Sequence, residues 1–129
     1  MMVFHGVAVM IGLHLIIDGV TEGPVDRGVV EGILRELPGR IEMHILAGPL
    51  VVRGHPENPG WTGFVVIDKS HISIHTFDEG NLVSIDVFSC QPFDAEETRS
   101  YIERKLHLAR LNVRLVTRKE APDLIYQPP

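Results

Sequence analysis

Cysteine is nearly absent from this chain, and positive charge is missing from its beginning. One cysteine, Cys90, stands in 129 residues, which excludes an internal disulfide framework and any zinc site built on several thiolates. The first Lys or Arg is Arg27. A secretory signal opens on a basic segment, and the apolar stretch Met1 to Ile17 has none. That stretch is interrupted by His5 and His14 and is short for a membrane span. The expectation is a buried strand and a soluble, cytoplasmic protein with no membrane partner. Basic residues are also outnumbered, 12 against 17 acidic, for a net charge of −5. Such a balance argues against nucleic acid as the partner. The sequence contains no G-x-G-x-x-G, P-loop, G-x-S-x-G, H-E-x-x-H or C-x-x-C. Nucleotide hydrolysis, elbow-serine hydrolysis and the common zinc chemistries lose their usual signatures.

The composition is otherwise ordinary, with 44% hydrophobic and 22% charged residues, which excludes a disordered or collagen-like chain. Residues 1–129 are read as a single domain, able to hide roughly two-thirds of its extended surface and hold a core without cross-links. Val7 to Asp18 suits a central strand with both faces covered. Val29, Val30, Ile33, Leu34 and Leu37 form a helical stripe that Pro38-Gly39 should stop. Ile41 to Leu46 and Leu50 to Arg53 read as two strands around Ala47-Gly48-Pro49, followed by a loop over Gly54 to Gly60. Gly63 to Ile67, Ser70 to Phe77 and Leu82 to Ser89 alternate as strands, the last two around a turn at Asp78 to Asn81. Asp94 with Glu97 three residues on opens a second helix as in a capping box, with a stripe at Thr98, Ile102, Leu106 and Ala109. Val113 to Thr117 is a last strand, before an irregular proline-rich tail from Ala121. The pattern predicts an α+β fold, a two-layer α/β sandwich with helices on one face of a largely antiparallel sheet. The other sheet face would be bare, which points to a dimer packed sheet to sheet into a four-layer assembly.

Reactive side chains concentrate between Thr62 and Cys90. The run Ser70-His71-Ile72-Ser73-Ile74-His75-Thr76, then Glu79, then Asp86-Val87-Phe88-Ser89-Cys90 resembles the short prokaryotic form of the S-adenosylmethionine decarboxylase family. That family typically shows Glu-Ser-His-Ile-Ser-Ile-His-Thr-Trp-Pro-Glu and then Asp-Val-Phe-Thr-Cys-Gly, at the same separation. Gly12 to Asp18 is similar to its first strand, and the resemblance extends from about Gly12 to Thr117.

The resemblance implies a self-processing, pyruvoyl-dependent carboxy-lyase. It would convert S-adenosylmethionine to its decarboxylated form for polyamine (spermidine) biosynthesis, as a zymogen cut between Lys69 and Ser70. Ser70 Oγ would attack the Lys69 carbonyl to give an ester. β-Elimination would then free residues 1–69 and leave dehydroalanine, which hydrolyses to a pyruvoyl group. That group would hold the substrate amine as a Schiff base and act as electron sink for loss of CO₂. No metal is expected: His71 and His75 share a strand face, but no third ligand accompanies them.

Cys90 matches the family's proton donor, and a free thiol keeps its proton near neutral pH. Outside this motif a lone cysteine is more often a small buried apolar residue. His75 matches the histidine that assists processing, where an unrelated strand histidine would simply be hydrogen-bonded. Thr62 stands where the family has a serine that stabilises the ester. It reads equally as an ordinary β-branched strand residue. Glu79 matches a carboxylate that binds the substrate ribose, against the reading of a solvated turn acid. Phe4, Trp61 and Phe77 are the candidates for stacking on adenine. His71 is in the motif without an assigned role, and His5, His14, His44 and His55 are read as structural or surface residues.

Three positions depart from the pattern. Lys69 replaces the glutamate before the processing serine, Phe77-Asp78 replaces Trp-Pro, and Gln91 replaces the glycine after the cysteine. Cleavage needs the carbonyl of residue 69, not its side chain, but a lysine near a cationic substrate repels it. The alternatives are therefore a pyruvoyl decarboxylase of another amino acid and an uncleaved, non-catalytic ligand-binding relative. Finally, Ser70 and His75 lie five residues apart on one strand, which separates them by roughly 16 Å and turns them to opposite faces. A homodimer with shared sites removes that conflict, Ser70 and Cys90 of one protomer meeting Thr62, His75 and Glu79 of the other.

Overall fold

The computed structural model describes residues 10–119 and Pro129. Its elements are β1 (Met10–Thr21), α1 (Arg27–Arg40), β2 (Ile45–Arg53), β3 (Trp61–Ile67), β4 (Ser70–Phe77), β5 (Leu82–Ser89), α2 (Ala95–Leu106) and β6 (Leu108–Lys119), with a 3-10 turn at Glu79–Asn81. The six strands form one sheet in the order β2-β3-β4-β5-β1-β6, and every neighbouring pair is antiparallel. Both helices lie on one face, α1 over β2, β3 and β4, α2 against β1 and β6. The expected two-layer sandwich is the observed one.

Alternation builds that arrangement. In β4, Ser70, Ile72, Ile74 and Thr76 are buried, while His71, Ser73 and His75 point to the other side. In β5 Val83, Ile85 and Val87 are buried and Ser84, Asp86 and Phe88 are not. The buried set meets Val30, Ile33, Leu34 and Leu37 of α1 and Tyr101, Ile102 and Leu106 of α2 in one core. Each such fully buried aliphatic side chain contributes about 1.5–3 kcal/mol. At Gly63 helix and sheet approach closely: a Cβ there would stand 2.6 Å from Val30 Cγ1 and 2.7 Å from Leu34 Cδ1.

Among the described residues the opposite face carries no helix. Across it run rows set by strand register. One is Val66, His71, Phe88, His14 and Val116, and the next is Phe64, Ser73, Asp86, Ile16 and Arg114. Phe64, Val66, Leu82 and Val116 are exposed there. Among the described residues β1 is thus covered on one face only, where the apolar run Val7 to Asp18, whose residues 7–9 lie outside the described residues, predicted cover on both.

Several boundaries differ from the sequence expectation for definable reasons. α1 continues through Pro38 to Arg40. The carbonyls of its last turn are taken up by the residues just beyond it, Met43 N–H donating to Pro38 O at 2.9 Å and Ile41 N–H to Leu37 O at 3.2 Å. β2 is one strand, starting at Ile45, not two. Register shifts between Ile45 and Leu50 absorb Ala47-Gly48-Pro49, and the outermost place in the sheet leaves a proline without a ladder bond to lose. β6 is longer than Val113 to Thr117 because pairing with β1, not its own weak alternation, sets its length. Ala109 consequently belongs to β6 and not to the stripe of α2, where Tyr101 takes the buried place. The Asp94 cap is present, its carboxylate accepting Glu97 N–H at 3.0 Å. The Glu97 side chain pairs instead with Arg40. The tail from Ala121 lies outside the described residues except for Pro129.

Candidate active site

The two-residue loop Asp68-Lys69 joins β3 to β4, Ile67 pairing with Ser70 across it. Lys69 is exposed, with φ +47° in the left-handed region that non-glycine residues seldom adopt. Ser70 comes next as the first residue of β4 and is buried. Its Oγ accepts the backbone N–H of Cys90 at 2.8 Å. The Cys90 thiol donates to the Asp68 carbonyl at 3.4 Å, so Cys90 touches the loop on both sides of Lys69. A tight turn holds it there: the Ser89 hydroxyl donates to Gln91 O at 2.5 Å and accepts Gln91 N–H at 3.1 Å. The loop is also tied to the start of β2. Asp68 Oδ2 accepts the backbone N–H of His44 at 2.8 Å and faces its Nδ1 at 3.0 Å. These bonds from His44, the backbone one foremost, hold the Asp68 carboxyl below the usual carboxylate range.

The second group lies on the open face, towards the other end of β4. Thr62 and His75 are direct cross-strand partners, with Thr62 Oγ1 3.1 Å from His75 Nδ1. Beside them is a cavity of about 170 Å³ between the Gly54 to Gly60 loop and the end of β4, reached by His55, Thr62, His75 and Phe77. Backbone bonds hold this loop: Gly54 N–H to Gly60 O at 2.8 Å and Asp78 N–H to Pro59 O at 3.0 Å. Gly60 is required, since a Cβ there would fall 1.8 Å from the Thr76 carbonyl oxygen. Phe77 also lines a wider, mainly apolar basin of about 620 Å³ with Val20, Leu82 and Leu111. Glu79 is exposed in the turn just beyond.

The expected site residues therefore form two groups within one chain. Ser70 and Cys90 meet at the β3–β4 loop, Ser70 on the helix-side parity of β4 and Cys90 just past the end of β5, packed against the core. Thr62 and His75 meet on the bare face, with Phe77 and Glu79 beyond them in the chain. Trp61 is half-buried against the core, under the Arg53 guanidinium at 5.0 Å, and does not line the cavity. Phe4 lies outside the described residues. His44 and His14 bond to acids that sequence reading did not link to them. His14 Nδ1 lies 2.9 Å from Asp86 Oδ1, 72 positions away, and His71 Nε2 lies 3.9 Å from the same carboxylate. No spacing rule reaches across 24 or 72 positions; strand register alone brings these residues together. Among the described residues no three His, Cys, Asp or Glu side chains gather as a metal site, and no helix is long and apolar enough to cross a membrane.

The profile of the S-adenosylmethionine decarboxylase family matches residues 14–119. An S-adenosylmethionine decarboxylase proenzyme of Aquifex aeolicus is 34% identical over 105 residues, covering 79% of this chain and 76% of that protein. The proenzyme of the same name from a Sulfurihydrogenibium species is 34% identical over 119 residues, covering 87% and 85%. That of a Hydrogenobaculum species is 38% identical over 103 residues, covering 74% and 72%. In three dimensions the chain is similar to the crystal structure of the adenosylmethionine decarboxylase from Aquifex aeolicus. The TM-score is 0.71 at 27% identity, with 92% of this chain and 98% of that one covered.

Proposed function

Because the chain belongs to the S-adenosylmethionine decarboxylase family, we propose that it is a self-processing decarboxylase of S-adenosylmethionine, acting in polyamine biosynthesis. Cleavage falls between Lys69 and Ser70. The observation that carries this reading is the placement of Ser70 and Cys90. The nucleophilic hydroxyl, the peptide it must attack and a thiol meet at one loop.

In the first step Ser70 Oγ bonds to the Lys69 carbonyl carbon. The Lys69–Ser70 C–N bond breaks, and the hydroxyl proton passes to the freed Ser70 nitrogen. The Cys90 N–H occupies one lone pair of Oγ and aims the hydroxyl. Elimination then removes the Ser70 Cα proton and releases residues 1–69 as a carboxylate, leaving dehydroalanine, whose imine tautomer takes up water and loses its nitrogen as ammonia to give the pyruvoyl carbonyl. When formed, the pyruvoyl group supplies the electron-withdrawing carbonyl that loss of CO₂ requires. The site fits such a group, since the thiol that would return a proton is anchored within the same loop contacts. Glu79 and Phe77 bind the ribose and base of the substrate.

His75 handles the proton during processing and Thr62 steadies the ester, both from a second protomer. Their place on the bare face, away from Ser70 of the same chain, supports this reading. So do the exposed apolar side chains on that face, which a sheet-to-sheet homodimer would cover. The cavity beside Thr62 and His75, about 170 Å³, is smaller than the about 300–1,000 Å³ typical of sites that enclose a small molecule. A partner's Ser70 and Cys90 would complete it.

The test is intact mass and denaturing electrophoresis of the purified protein. Two fragments divided between Lys69 and Ser70, the second with a blocked, non-amine N-terminus, are expected. A single full-length chain after prolonged incubation would rule out the pyruvoyl enzyme and leave an uncleaved ligand-binding relative.

A further inference from the structure

Attack by Ser70 Oγ needs the adjoining Lys69 carbonyl in the right orientation, and Lys69 is held in a conformation that residues other than glycine avoid. Such a backbone persists only where neighbouring contacts over-determine it. One contact is the Cys90 thiol on the Asp68 carbonyl. The other comes from outside the motif: a single oxygen of Asp68, Oδ2, takes both the backbone N–H and the ring nitrogen of His44. We propose that His44 and Asp68 are a positioning pair for self-cleavage, clamping the Asp68-Lys69 loop to the start of β2 so that the Lys69 carbonyl keeps the orientation in which Ser70 Oγ attacks it. This rests on the cleavage reading above and adds to it two residues that act through the loop and do not touch the reacting atoms.

Three observations support a positioning role over a packing one. The His44 ring is 87% exposed, so removing it opens no cavity. His44 immediately precedes β2 and Asp68 immediately succeeds β3, so the pair extends the ladder that ends at Ile45 and Ile67. It thereby fixes the loop at the residue before the scissile one. The depressed pKa of Asp68 shows that the bonds favour its ionised form.

The test tracks cleavage from the start of cell-free synthesis by denaturing electrophoresis, in wild type, Asp68→Ala, Asp68→Asn and His44→Ala. Hydroxylamine traps the ester, so acyl shift and elimination are read separately. Asp68→Ala should slow ester formation at least tenfold. Asp68→Asn keeps one oxygen for both bonds and should cleave within about threefold of wild type. His44→Ala keeps the backbone bond and should fall between them. Thermal midpoints should stay together. Equal rates in Asp68→Ala and wild type overturn the proposal. So does equal slowing in Asp68→Ala and Asp68→Asn, or slowing that tracks a loss of thermal stability. A wild type that never cleaves refutes the cleavage reading itself, which is a separate outcome.

Discussion

Cys90 holds Ser70 through its backbone and not through its thiol: the Cys90 N–H donates to Ser70 Oγ at 2.8 Å, while the thiol is turned to the Asp68 carbonyl. In the proposed reaction the backbone of Cys90 would aim the Ser70 hydroxyl, while its thiol would steady the loop and later return a proton.

Cys90→Ala keeps the backbone N–H and removes only the thiol. It should still yield two fragments, more slowly than wild type because the thiol's contact with the Asp68 carbonyl is lost, while turnover of the processed enzyme falls about 10²-fold or more, the usual contribution of a positioned acid. Ser70→Ala, by contrast, should remain one folded, inactive chain. Electrophoresis beside a CO₂-release assay checks both, and a Cys90→Ala chain that fails to cleave would show that the thiol itself is needed for processing.

Thr62 and His75 bond across β3 and β4 on the bare face, so co-expression distinguishes shared from private sites. Cys90→Ala and His75→Ala, each inactive alone, should regain activity as mixed dimers. One of the two sites then takes Cys90 from one mutant and His75 from the other. Verified mixed dimers without activity would place the site within one chain.

Lys69 is exposed beside Ser70, where the family pattern carries an acid. Lys69→Glu removes a cation and adds an anion near a substrate with two positive charges. It should lower the KM for S-adenosylmethionine, with a benefit that shrinks as salt rises from 0.01 M, where screening extends over about 30 Å, to about 1 M, where it extends over about 3 Å. An unchanged or raised KM would point to a different substrate, or to a Lys69 side chain directed away from the pocket.

Tyr101 is 1% exposed and donates its hydroxyl to Glu36 at 2.7 Å. Burial, then the bond to Glu36, raises the Tyr101 pKa, while that bond lowers the Glu36 pKa. The raised phenol contributes stability below about pH 10 and loses it as pH climbs above that value. The lowered carboxyl contributes above about pH 4.3 and loses it as pH falls further. Tyr101→Phe should therefore lower the thermal midpoint by a few degrees near neutrality, and the gap to wild type should close at both extremes. Thermal unfolding monitored across pH measures it.

Local pattern alone determined much of this protein. The alternation of Ser70 to Phe77 placed Ser70 with the core and His75 on the other face, because side chains on a strand alternate with period 2. The stripe of α1 and the Asp94 cap were equally local. Motif spacing picked out Ser70, His75 and Cys90 together, but could not say which of them touch. That was decided by strand order. The turn at Ser89 brings Cys90 onto Ser70, and register sets Thr62 against His75. The placing of β1 between β5 and β6 delivers His14 to Asp86. The contact of His44 with Asp68 across 24 positions is of the same kind. The two prolines obey this rule as well. Pro38 and Pro49 read as breaks, yet the helix and the strand run through them. The amides of residues 41 to 43 cap the carbonyls of Leu37, Pro38 and Gly39 at the end of the helix, and the outer edge of the sheet asks Pro49 for no bond. The entropy of closing a long loop grows only slowly with its length, so separation along the chain does little to favour one strand pairing over another. The choice is made by burial and ladder bonds that exist only once the sheet has formed.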